Sequence, residues 1–271
     1  MSDAAHPFDL AVRLAAAGEG AYAGRTHPAY ANQVGPFGGV IAATLLNAAL
    51  SHPARLGDPL ALTVNYAAPI ADGDFRVSAV PARSNRSTQH WSMALLRDDE
   101  VLTTATAVFA QRRDTWTATD AGFPQVPDWT ALERTAPAKV AAWTSRYSLR
   151  FARGGDLTAT PAQENADSTS LVWVQDDPPR PLDFLSLAAI CDVFYPRIFI
   201  RRPVFVPAGT VSMTVYFHAD AALLAAQGDA PVLGVARASH FGKGYHDQVA
   251  EIWSRDGLLL ATSHQIVYFK E

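Results

Sequence analysis

Three polar side chains lie in segments that are otherwise mainly apolar, and they are the residues of this sequence best suited to chemistry. Asp192 lies inside an apolar helical run, Thr210 begins a strand-like segment, and Gln265 lies within the last strand-like segment. Burying a carboxylate costs several kcal/mol unless it is hydrogen-bonded or paired. A buried Asp192 would therefore need polar partners, and Thr210 and Gln265 lie in segments expected to border the same helix.

The surroundings of Asp192 favour burial but leave a second interpretation open. Asp192 lies eleven residues after Pro181, about three turns into a predicted helix that spans residues 181–194. In the alternative, Asp192 lies near the helix end and faces solvent or pairs with Arg197. Thr210 and Gln265 also have ordinary interpretations, because a threonine at the start of a strand is usually structural and a strand glutamine usually faces water.

A long apolar run near the N-terminus predicts the helix around which the first half is built. Residues 38–50 follow Gly35-Pro36-Phe37 and are small and apolar with almost no polar face, which is typical of a helix buried on all sides. The next sixty or so residues alternate at strand period. One buried helix wrapped by a long antiparallel sheet is the hot-dog arrangement. Gly38 and Gly39 leave helix amides uncovered, so they are candidate substrate-binding donors to a carbonyl oxygen or anion. A role in lining an acyl tunnel, or in packing alone, is the alternative for both glycines.

The second half of the chain repeats this plan. A second apolar helix is predicted to start near Asp177 and to stop at Pro196, and four strand-like segments follow it. Arg97-Asp98 in the first half matches Arg255-Asp256 in the second. We therefore predict an α+β double hot-dog, in which two tandem units each have a long antiparallel sheet around a central helix. The predicted boundaries are residues 1–111 for the first unit, 112–142 for a proline-containing connector and 143–271 for the second unit.

Composition excludes several classes of partner. The chain has 271 residues, is 49% hydrophobic and carries a formal net charge of −4 without a basic stripe, which argues against binding nucleic acid or an anionic membrane surface. Neither a cationic leader nor about eighteen consecutive apolar residues are present, so we expect a cytoplasmic protein. The single cysteine, Cys191, excludes an internal disulfide, and the histidines lack metal-ligand spacing. We predict no metal and no cofactor.

Three segments resemble motifs of the acyl-CoA thioesterase II family of double hot-dog proteins. Phe37-Gly38-Gly39 resembles the F-G-G of that family, residues 210–218 resemble T-I-D-H-S-M-W-F-H, and residues 256–265 resemble D-G-V-L-V-A-S-T-V-Q. In that family an aspartate, a threonine and a glutamine together hold and activate the hydrolytic water. By position, the resemblance places these roles on Asp192, Thr210 and Gln265.

The resemblance implies hydrolysis of an acyl-CoA substrate and a homo-oligomer. The chain departs from the family where Ser212-Met213 replaces the Asp-His pair. This departure leaves open a non-catalytic acyl-CoA- or lipid-binding double hot-dog protein. A hot-dog hydratase or dehydratase is a third alternative, although the Asp-x-Asn-Pro-x-x-His segment of such enzymes is absent.

Overall fold

An antiparallel sheet of 13 strands dominates the computed structural model, which describes residues 5–155, 164–202 and 204–270. Twelve strands follow the order β1-β2-β4-β5-β6-β3-β9-β13-β12-β10-β8-β7, and β11 pairs with β12 at the side. The strands are β1 Ala15–Gly18, β2 Ala21–Arg25, β3 Asp58–Tyr66, β4 Asp74–Ser84, β5 Thr88–Arg97, β6 Glu100–Ala110, β7 Tyr147–Arg153, β8 Ser170–Asp176, β9 Ala208–Phe217, β10 Val232–Arg237, β11 Phe241–Gly242, β12 Tyr245–Trp253 and β13 Leu259–Phe269. The helices are α1 Pro7–Ala11, α2 Gly38–Leu50, α3 Phe184–Ile190, α4 Arg197–Arg201 and α5 Ala221–Gln227.

The strand order is the same on both sides of the pair β3 and β9. Outward from this pair, the first half runs β3, β6, β5, β4, β2, β1 and the second runs β9, β13, β12, β10, β8, β7. Strands β3 and β9 pair antiparallel, with Leu62 opposite Val215 and Asn65 opposite Ser212. The two halves therefore form one continuous sheet, and this repeated order is consistent with the predicted duplication.

Helix α2 has the predicted bounds, Gly38–Leu50, and is buried along nearly its whole length. Its one buried hydroxyl is satisfied locally, because Thr44 Oγ1 donates to the Val40 carbonyl at 2.7 Å. The helix begins after Phe37, whose side chain cannot cap it. Its first amides therefore lack a side-chain acceptor at the cap.

Helix α3 is shorter than predicted, and both predicted ends are wrong. It begins after Asp183, whose Oδ1 accepts from the Ser186 amide at 2.8 Å, because prolines keep the preceding residues out of helical geometry. It ends at Ile190, where the Asp192 amide donates to the carbonyl of Ala189, three residues back, at 3.0 Å. This hydrogen bond spans three residues rather than four, which ends the helix. Asp192 therefore lies in the turn after α3 rather than three turns inside a helix. Pro196 instead precedes α4.

Strand β2 is short, with 5 residues. It ends at Arg25, because His27 Nδ1 accepts from the Ala29 amide at 3.2 Å and starts a short 3₁₀ turn at Pro28–Tyr30.

The connector packs on the outside of the second-half sheet. Residues 112–142, all of which are described, contain a 3₁₀ turn at Trp129–Ala131 but no strand. Trp173 Nε1 donates to the Pro127 carbonyl at 2.9 Å, and Trp129 packs against the cluster that contains Trp173 and Trp253. The connector thus covers aromatic side chains on the sheet surface. Among the described helices, none is long and apolar enough to cross a membrane.

Candidate active site

The carboxylate of Asp192 lies against the first turn of α2. The Gly39 backbone N–H forms a hydrogen bond with it. A Cβ on Gly38 would stand 2.7 Å from Asp192 Oδ2, and one on Gly39 would stand 2.5 Å from the Ala189 carbonyl oxygen. The two glycines therefore allow the end of α3 to approach α2, and Asp192 supplies the acceptor that Phe37 lacks.

Gln265 lies in the middle of β13, and its buried side chain fixes one side of the carboxylate. Its Nε2 donates to Asp192 Oδ1 at 3.0 Å and to the Cys191 carbonyl at 3.3 Å. The same nitrogen is 3.3 Å from Met213 Sδ, at one of the positions where the sequence departs from the family motif. Three acceptors around Nε2 determine the orientation of the amide, so Gln265 presents its donor to Asp192.

Thr210 reaches the same site because β9 contains a bulge. Ser212 pairs with Ile266, but the next pair along the strands is Thr210 with Val267, which leaves Val211 as an extra residue. The bulge turns the Thr210 side chain toward the face of the sheet that carries Gln265. Thr210 Oγ1 donates to Gln265 Oε1 at 3.1 Å. The structure thus brings together Thr210, Gln265 and Asp192 in one hydrogen-bonded chain.

Burial controls the charge of Asp192. It raises the pKa of the carboxyl from 3.8 to about 7, against the opposing hydrogen bonds from Gln265 and the Gly39 amide. The side chain is half-buried by accessible surface, so it has little solvation but is not sealed from water. An acid with this pKa is partly ionised at neutral pH and is suited to accept a proton there.

Substitution of Gln265 by alanine is expected to raise the pKa of Asp192 further, because the ionised carboxylate loses its side-chain donor. The measurement is a pH titration of the carboxyl ¹³C signal of Asp192 in the wild type and the variant. Gln248→Ala is the matched control, because Gln248 is a buried glutamine paired with Gln265 on the neighbouring strand. An unchanged or lower pKa of Asp192 in Gln265→Ala would contradict the assigned hydrogen bond.

Tyr66 is a neighbour of the site that the sequence analysis did not single out. Its hydroxyl donates to the Gly38 carbonyl at 2.9 Å, and burial together with the charge of Asp192 raises its pKa well above the usual value, so the phenol is neutral. The alternation of Leu62 and Val64 on β3 places Tyr66 on the buried face and was the available signal. The site therefore combines elements of both halves.

Other residues from the sequence analysis have different positions. The Gly38 N–H makes no hydrogen bond within the described part of the chain, whereas the Gly39 N–H is directed at Asp192. Arg197 is buried and donates to Ser170 Oγ at 2.6 Å and to backbone carbonyls, so it is not the partner of Asp192. Cys191 is buried, as expected for a packing residue. Residues 5–155, 164–202 and 204–270 contain no group of His, Cys, Asp or Glu placed to hold a metal ion.

Comparison with protein families agrees with the motif resemblance. The model of the acyl-CoA thioesterase N-terminal domain matches residues 26–110, and that of the acyl-CoA thioesterase C-terminal domain matches residues 117–269. The chain belongs to the acyl-CoA thioesterase family. This membership confirms the resemblance stated from the sequence, and it supports thioester hydrolysis in general terms.

Solved structures with the hot-dog fold are similar over nearly the whole chain. A hot-dog protein of unknown function from Alicyclobacillus acidocaldarius is 49% identical, with 99% of each chain covered and a TM-score of 0.93. An acyl-CoA thioesterase II from Mycobacterium marinum is 16% identical, with 97% of this chain and 98% of that chain covered and a TM-score of 0.77. A candidate thioesterase II from Thermobifida fusca is 19% identical, with 97% of each chain covered and a TM-score of 0.82. No curated protein matches the sequence significantly.

Proposed function

We propose that this member of the acyl-CoA thioesterase family hydrolyses acyl-CoA thioesters to free acid and CoA. The observation that carries the proposal is the poorly solvated carboxylate of Asp192, whose Oδ1 is held by Gln265 and whose Oδ2 is left for a water molecule. A thioester needs an activated water and little help for its leaving group, and the site offers a base with a pKa of about 7.

The reaction follows from this geometry. Asp192 takes a proton from water while the water oxygen bonds to the thioester carbon, and the carbon–sulfur bond then breaks to release the CoA thiolate and the acid. Thr210 and Gln265 contribute by holding the carboxylate in one orientation, so that it need not reorganise when it accepts the proton. No covalent enzyme intermediate is required.

The amide of Gly38 is our candidate for polarising the thioester carbonyl. It lies at the first turn of α2, beside the carboxylate, and makes no hydrogen bond within the described residues. A helix N-terminus stabilises developing negative charge, and one oxyanion donor is worth about 2.7–4 kcal/mol in the transition state. In this proposal the two tandem hot-dog units have α2 and α3 as their central helices, and the site lies where these helices meet.

Hydrolysis is expected to become faster as the pH rises through about 7, because Asp192 must be ionised to act as the base. The measurement is thiol release from a panel of acyl-CoAs of different chain lengths, with kcat recorded between pH 5 and 9 for any substrate that is turned over. A rise centred near pH 4 would show that the reacting acid is an ordinary solvated carboxyl and would contradict the assignment of Asp192.

One observation favours a second candidate function. Asp192 also caps α2, and this structural role would persist in a non-catalytic acyl-CoA- or lipid-binding protein. Binding of acyl-CoA without thiol release from any member of the panel would support that candidate. Loss of the double bond of an enoyl-CoA without thiol release, followed in a separate assay, would instead support a hydratase.

A further inference from the structure

Two oxygen atoms from different halves of the chain face the same small space beside Gly38. The position of a Cβ on Gly38 lies 2.7 Å from Asp192 Oδ2 and 3.5 Å from the Tyr66 hydroxyl oxygen. The Cβ position is only a reference point, since a water molecule there would overlap Gly38, but a water molecule just beyond it can contact both oxygens. Asp192, Tyr66 and Gly38 are each only partly buried, so water has access to this space.

The hydrogen bonds already formed determine what each oxygen can do there. Gln265 donates to Asp192 Oδ1 and the Gly39 amide also bonds to the carboxylate, and Oδ2 still has a lone pair that can accept from water. The single hydroxyl proton of Tyr66 is donated to the Gly38 carbonyl, so the Tyr66 oxygen is also an acceptor toward the site. A water molecule has two protons to donate, and two acceptors are present.

We propose that Tyr66 is a catalytic residue of the first half that holds the second proton of the hydrolytic water while Asp192 Oδ2 accepts the first. This inference rests on the proposed thioester hydrolysis. With both protons directed at protein oxygens, the lone pairs of the water point at the thioester carbon. Thr210 is the competing acceptor, but its hydroxyl is bonded to Gln265 Oε1, whereas Tyr66 lies beside Asp192 Oδ2.

The test uses methanol as a second nucleophile. Methanol has one hydroxyl proton, which goes to Asp192 while its oxygen bonds to the thioester carbon and the thiolate leaves, so methanolysis does not use an acceptor on Tyr66. Tyr66→Phe is therefore expected to slow hydrolysis roughly tenfold and to change methanolysis little, which raises the ratio of methyl ester to free acid roughly tenfold. A structural role alone would slow both reactions equally.

Tyr216→Phe is the matched control, because Tyr216 lies on the neighbouring strand β9 with 51% of its surface exposed and is expected to leave both rates unchanged. Thermal unfolding checks that the variants are folded. Tyr66→Met also lacks the hydroxyl and fills the space with a flexible side chain, so it is expected to give the same change in the ratio.

An unchanged product ratio in Tyr66→Phe would overturn the inference, and so would a higher ratio found in Thr210→Val instead. In both cases, wild-type hydrolysis that is lost in Asp192→Asn would leave the proposed function intact. If the wild type releases no thiol from any acyl-CoA, the proposed function fails and the role of Tyr66 fails with it.

Discussion

Asp192→Asn is expected to lower kcat for acyl-CoA hydrolysis by about 10²- to 10⁴-fold, because an amide cannot accept the proton of the attacking water. Asparagine preserves the size of the side chain and its carbonyl oxygen can still accept a hydrogen bond from Gln265, so the geometry of the site should persist. The measurement is the initial rate of thiol release at pH 8, where the wild-type carboxyl is mostly ionised.

Asp176→Asn is the matched control for this substitution. Asp176 is also buried, and burial raises its pKa to about 7, but it lies at the end of β8 outside the proposed site. Its substitution is expected to leave kcat within a few-fold of the wild type. Equal losses in the two variants would show that a buried aspartate supports the fold rather than the reaction, and retained activity in Asp192→Asn would exclude Asp192 as the base.

The raised pKa of Asp192 also makes the stability of the protein depend on pH. The folded-state pKa of Asp192 is about 7 and its ordinary value is 3.8, so between these pH values the folded protein holds a proton that the unfolded chain has lost. Wild-type stability therefore falls as the pH rises through this window, by about 1.4 kcal/mol per pH unit for one such group. Asparagine does not titrate, so Asp192→Asn should gain stability relative to the wild type as the pH rises from 4 to 7.

Gly39→Ala is expected to destabilise the protein by about 3 kcal/mol or more, because the new Cβ overlaps atoms that have no room to move. It would stand 2.5 Å from the Ala189 carbonyl oxygen and 2.6 Å from a ring carbon of Phe37. The higher helix propensity of alanine offsets only about 1 kcal/mol of this loss. To relieve the overlap, α2 would have to move away from α3. The measurement is the free energy of unfolding in urea.

Substitutions of two other glycines by alanine serve as comparisons for Gly39→Ala. Gly122→Ala places a Cβ with no atom within 4 Å and is expected to be nearly neutral. Gly38→Ala meets the terminal oxygen of Asp192 rather than backbone, so the side chain can turn aside and the fold should tolerate it, but hydrolysis should be lost with the displaced carboxylate. A Gly39→Ala variant as stable as Gly122→Ala would contradict the close packing of α2 on α3.

Local patterns in the sequence were sufficient to predict the main elements. The bounds of α2 followed from an apolar run between Gly35-Pro36-Phe37 and Ser51-His52-Pro53. Asp192, Thr210 and Gln265 were recognisable because polar groups are costly in apolar segments and because their motifs resemble those of a family. These signals extend over only a few residues, so one chain was enough to detect them.

The tertiary structure alone decided how these residues meet. The bulge at Val211, which turns Thr210 toward Gln265, depends on pairing between distant segments. The contacts of Gly39 with Asp192 and of Tyr66 with Gly38 join parts of the chain that no local pattern connects. Burial of a carboxylate and the direction of a side chain are set by what packs around them, and for this site that packing comes from both halves of the sheet.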